Sequence, residues 1–172
     1  MRIAGTIGES IVDGKGIRYV VFVQGCPHRC EGCHNPETHD FSGGVEADLE
    51  KILSEIDSDP LITGVTFSGG EPFCQAEDLC RLADEVKTRG KDLMIYSGYT
   101  LEEIALMGER DPWTQHLLNT ADSLVDGRFV LNERDLELPF RGSRNQRHID
   151  MKATRKAGKI IEMEEKRGYE KI

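Results

Sequence analysis

The sequence predicts an α/β protein with a mostly parallel sheet, and two observations carry that prediction. Short apolar runs of buried-strand length alternate with segments whose apolar residues recur at helical spacing. Each run is followed by a loop rich in glycine, cysteine or carboxylates, as in parallel sheets that gather their chemistry at the C-terminal ends of the strands. At 172 residues the chain has single-domain size and buries a core without disulfide support.

The first run, GIRYVVFV (16–23), is β-branched and aromatic and ends at a cysteine-rich loop. VEADLEKILSEI (45–56) then puts Val45, Leu49, Ile52, Leu53 and Ile56 on one helical stripe. ITGVTFS (62–68) reads as a second strand, closed by the turn GGEP. In AEDLCRLADEVKTRG (76–90), Leu79, Leu82, Ala83 and Val86 face inward and Gly90 is placed to cap the helix C-terminus. KDLMIYSG (91–98) is a third strand. Thr100 and Glu103 have capping-box spacing and open a short helix through Met107. Beyond Pro112 a helical turn leads to a fourth strand in DSLVDGRFV (122–130). Right-handed crossovers between such strands bring the cysteine loop, SGGEP, YSGYT and VDGRF to one rim. Residues 127–150 are weakly patterned, and GKIIEM (158–163) reads as a final strand. The expected organisation is one domain over 1–150, with 151–172 as a C-terminal strand and tail packed on it or extending from it.

Composition narrows the setting. A hydrophobic share of 38% with 31% charged residues is ordinary for a soluble protein. No apolar run approaches bilayer length and no signal-peptide pattern opens the chain, so a cytoplasmic protein without membrane association is expected. Five cysteines in a reducing compartment point to a metal or redox role before a disulfide framework. A net charge of −9 argues against nucleic-acid binding. The last 21 residues run against that charge, with seven Lys or Arg against four Glu, and read as a solvated terminus.

The chemistry concentrates in GCPHRCEGCHN (25–35), where Cys26, Cys30 and Cys33 stand four and then three positions apart. Three thiolates in one short loop enclose a compact soft-metal cluster and leave one corner without a protein ligand. A zinc site, or a four-cysteine site closed by Cys74, are the alternatives. The gap between Cys74 and Cys80 suits a zinc knuckle poorly, and Cys80 lies on an apolar helical stripe, so both read as small buried thiols. In SGGEP (68–72), two glycines permit positive φ and close backbone approach, while Glu71 offers an acceptor for an ammonium group. An ordinary strand-to-helix turn has the same composition. Asp126 stands at the end of the fourth strand, and an Asp-Gly turn explains it nearly as well as a ligand role.

C-x3-C-x2-C after a first strand, followed by SGGEP after a later one, resembles the radical S-adenosylmethionine (SAM) enzymes. DGKGIRYVVFVQGC (13–26), with Arg18 and Phe22, resembles the glycyl-radical-enzyme activating proteins, although Lys15 replaces a proline common there. TFSGGEPFCQ, IYSGYTLEEI, LVDGRFV and LPFRGSRNQRHID resemble the branch that activates anaerobic (class III) ribonucleoside-triphosphate reductase. That resemblance covers most of residues 3–150. It implies one [4Fe–4S] cluster on the three cysteines, with SAM as the missing fourth ligand. It implies SAM contacts from Ser68, Gly69, Gly70, Glu71, Asn35, Ser97 and Asp126. Gly32 stands where many relatives carry an aromatic adenine contact, leaving His34 or Asn35 as substitutes. Arg141, Ser143, Arg144, Asn145 and Gln146 would supply donors to a ribose, a carboxylate or a partner's backbone. The implied reaction is reductive cleavage of SAM, with hydrogen abstraction from a C-terminal glycine of the large reductase subunit. Flavodoxin or ferredoxin would donate the electron; activation of a pyruvate formate-lyase-type enzyme is the alternative. The implied fold is a partial (β/α) barrel of the radical SAM type. Roughly four to six strands are expected, because a full barrel needs about 250 residues.

Overall fold

The computed structural model describes residues 1–164. Its elements, in order, are β1 (Arg2–Ser10), β2 (Arg18–Val23), β3 (Val45–Glu46), α1 (Leu49–Ser58), β4 (Gly64–Gly69), α2 (Ala76–Thr88), β5 (Asp92–Tyr96), α3 (Leu101–Gly108), α4 (Pro112–Thr120), β6 (Ser123–Asp126), β7 (Arg147–Asp150) and α5 (Met151–Ala157). The strands form one open seven-stranded sheet in the order β3-β1-β2-β4-β5-β6-β7. The central pairings from β2 to β6 are parallel, and the outer ones are antiparallel. This is a mixed α/β sheet, parallel at its centre and larger than the expected four to six strands. The turn between β1 and β2 is too short for a crossover, which forces the antiparallel edge.

Alternation along the central strands sorts the two faces. Tyr19, Val21, Val23, Val65, Phe67, Leu93, Ile95 and Leu124 enter one apolar core, to which all five helices contribute. Phe22 and Ser68 are register partners on the opposite face and line a cavity together with Tyr96. The helices therefore back one side of the sheet, and the chemistry opens on the other.

Several expectations need correction. Val45 belongs to an exposed two-residue edge strand, and α1 begins only after Asp48, whose carboxylate accepts from the Lys51 amide at 3.1 Å. The fourth strand ends at Asp126, as expected, and the rest of DSLVDGRFV leaves the sheet. β1, β7 and α5 were not anticipated. In place of the GKIIEM strand, Gly158 closes α5 at φ 67°, and a single bridge joins Glu162 to Ile149. The remainder of the basic terminus, 165–172, lies outside the described residues. Gly90, at φ +67°, and the reciprocal bonds of Thr100 and Glu103 stand as expected. No helix among the described residues is long and apolar enough to cross a membrane.

Candidate metal and cofactor site

The cysteine loop leaves β2 and is stapled where it returns. Gly25 donates to the Thr38 carbonyl at 2.8 Å and Cys26 to the His39 carbonyl at 3.2 Å. The buried Gln24 side chain donates to the carbonyls of Glu37 and Asp40. Backbone amides aim at sulfur: His28 and Arg29 at Cys26, and Asn35 at Cys33 at 3.4 Å. Burial pushes the Cys26 thiol up against those two amides, and the Glu71 and Cys30 charges add to the rise. Metal loading at Cys26 therefore releases a proton.

Cys26, Cys30 and Cys33 open onto one cavity of about 690 Å³, whose wall includes Ser68, Gly69 and Gly70. That volume falls within the roughly 300–1,000 Å³ of ordinary cofactor pockets. Among the described residues, no three His, Cys, Asp or Glu side chains close around a single ion. Three thiols on one wall, with amides directed at two of the sulfurs, suit a multi-iron cluster better than one tetrahedral zinc. Cys74 and Cys80 do not reach the cavity wall. Cys74 is exposed, contrary to the expected buried thiol, whereas Cys80 is buried and donates to the Trp113 carbonyl at 3.3 Å. Burial pushes the Cys80 thiol up to about 11.

The two glycines of SGGEP differ in purpose. Gly69 has φ +87°, a region that penalises any Cβ. At Gly70 a Cβ would lie 2.4 Å from the Gly25 carbonyl oxygen, so the glycine lets this turn lock against the start of the cysteine loop. Glu71 departs most from expectation. Its side chain is fully buried and absent from the cavity wall. One carboxylate oxygen accepts from the Phe73 amide at 3.0 Å and the Ser97 hydroxyl at 2.9 Å. The other accepts from the Gly98 amide and lies 2.8 Å from His28 Nε2. With four partners, the carboxylate joins the cysteine loop to the ends of β4 and β5.

The remaining candidates divide. Asn35, His34 and Ser97 line the cavity, and the exposed His34 ring lies 5.2 Å from that of Phe129. Asp126 is buried away from that wall: Arg147 donates to both its oxygens, at 3.0 and 2.5 Å, and the Leu101 amide donates at 2.7 Å. The segment 140–147 largely binds itself. Ser143 donates to Asn145 and accepts from Val130, while Gln146 accepts from two amides and donates to the Gly127 carbonyl. Arg141 and Gln146 do reach the cavity. Sequence reasoning missed His28, whose signal was an imidazole set between two cysteines of the motif. It also missed Tyr96, whose hydroxyl donates to the Phe140 carbonyl at 2.6 Å.

Sequence comparison agrees with this cysteine wall. Residues 12–149 match the family described as a 4Fe-4S single cluster domain, which defines the class of the protein. The chain is 38% identical to an anaerobic ribonucleoside-triphosphate reductase-activating protein of Vibrio cholerae serotype O1, over 79% of this chain and 89% of that one. Proteins of the same name from Haemophilus influenzae and Enterobacteria phage T4 are each 34% identical, over 79% of this chain and 89% and 85% of theirs. The chain belongs to the family of anaerobic ribonucleoside-triphosphate reductase-activating proteins.

Proposed function

We propose that this protein uses one [4Fe–4S] cluster and SAM to place a radical on a glycine of the large catalytic subunit of an anaerobic ribonucleoside-triphosphate reductase. The carrying observation is that Cys26, Cys30 and Cys33 share one cavity while Cys74 and Cys80 stay outside it. Ligation by these three alone would leave a cluster corner for a ligand the protein does not supply. Held by Cys26, Cys30 and Cys33, such a cluster would supply the one electron that cleaves the C5′–S bond of SAM, releasing methionine, so that a hydrogen atom moves from the glycine Cα to give 5′-deoxyadenosine and the glycyl radical. The three cysteines would hold the cluster, and Ser68, Gly69, Gly70, Asn35 and Ser97 would border SAM. Glu71 would act from behind, fixing the Ser97–Gly98 turn and His28 against which the cofactor would sit. Asp126 would hold the rim through Arg147. The open sheet is read as a partial barrel of the radical SAM type, contained in residues 1–150 with the rest as an appended segment. Its one-sided helical cover suits entry of a peptide loop. A cytoplasmic setting and a flavodoxin or ferredoxin donor complete the proposal.

The test is anaerobic reconstitution followed by EPR. About four irons per chain and a cluster signal that changes on SAM addition are expected. A glycyl radical should then form on the reductase subunit and not on a formate-lyase. Zinc in place of iron, or a cluster signal indifferent to SAM, overturns the reading.

A further inference from the structure

Leu136, Ile11 and Val12 are the most exposed large apolar side chains among the described residues, at 79%, 73% and 71%. All three line the cavity that the cysteines share. Ile11 and Val12 come from the turn between β1 and β2, and Leu136 from the connection between β6 and β7. Those connections join the two ends of the sheet, so apolar side chains are supplied to the opening from both sides of the parallel centre. Both are held in place. Thr66 donates to the Asp13 carbonyl at 2.7 Å, and the Val12 amide donates to Ser10. On the other side, Tyr96 holds Phe140 and Ser143 holds Val130. Leu106 and Leu61, also exposed, are not among the cavity residues. Apolar groups that gather at an opening and are held out of the core mark a binding surface.

We propose that Ile11, Val12 and Leu136 form the docking rim for the partner polypeptide, gripping apolar residues that flank the reacting glycine. This rests on the reading above, that the substrate is a backbone glycine of a second protein. Glycine offers no side chain to recognise. Recognition therefore falls to its neighbours, and the chain on either side of it must cross the rim to let the Cα reach the cavity.

The test uses the reconstituted holoprotein carrying Ile11→Asp, Leu136→Asp or both, with Leu136→Met as the conservative variant and Leu61→Asp and Leu106→Asp as controls. Each rim aspartate is expected to raise the reductase concentration giving half-maximal glycyl radical about tenfold, and the pair more. Bound iron should stay at about four per chain in every variant, and the controls and Leu136→Met should give half-maximal radical within about twofold of the parent's reductase concentration. Rim variants that titrate like the parent overturn the proposal, as do controls that weaken equally. So does a rim variant that changes only self-association, which would assign the patch to a second copy. Failure of the functional reading looks different: the parent protein itself then forms no radical on the reductase. The same titration on the glycyl radical enzyme that does respond decides the rim in that case.

Discussion

Glu71 shows how one residue type serves two readings. In the sequence it offers an acceptor for an ammonium group; in the structure both oxygens are already engaged by four partners. His28, Ser97 and Gly98 lie 43, 26 and 27 positions away, and no local pattern announces that they converge. Glu71→Gln would set an amide NH2 against donors that need an acceptor. It is expected to destabilise the apoprotein by about 3 kcal/mol in urea unfolding. A residue that only held a cofactor would leave apoprotein stability unchanged. At the cysteines, Cys30→Ser should sharply reduce bound iron, while Cys74→Ser should leave it near four per chain, since Cys74 is off the cavity wall.

At the scale of elements, Asp122 is the junction. It is buried just before β6 and accepts from Lys87 of α2, the Leu93 amide of β5 at 2.7 Å and Lys152 of α5 at 2.9 Å. Burial alone would raise its carboxyl, but these donors outweigh it and hold it below the usual carboxylate range. A depressed folded value contributes stability above the unfolded value, about 3.9, that is lost as pH falls through the folded one. Asp122→Asn should therefore cost about 2 kcal/mol at pH 7, and the gap should close on acidification below about pH 4, by urea unfolding at each pH. The central strands were legible because burial on both faces makes them continuous apolar runs. β1 was not, because RIAGTIGES is paired by β3 only at its first residues and has most side chains in solvent. α5 carries a single buried residue, Met151, and so shows no stripe. Val45 fell on the α1 stripe by spacing alone; Asp48, an N-cap residue, was the signal that the helix starts later.

Across the whole molecule, the two sheet edges are protected unequally. β3 covers only Arg2 and Ile3 of β1, whereas residues 161–163 lie along β7 through Asp150 to Ile161 at 2.9 Å and Met163 to His148 at 2.8 Å. Met163→Pro removes the second of these donors and should lower the melting temperature by about 3 °C, measured on the apoprotein by thermal unfolding. A larger asymmetry lies between the faces. All five helices pack behind the strands, and the cysteines look out from the other side. Taken with the proposed docking rim, the mouth of the cavity on that side would be closed by the molecule the protein acts upon. Shelter and substrate would then come in the same collision, so adding the reductase should slow the bleaching of the cluster by air.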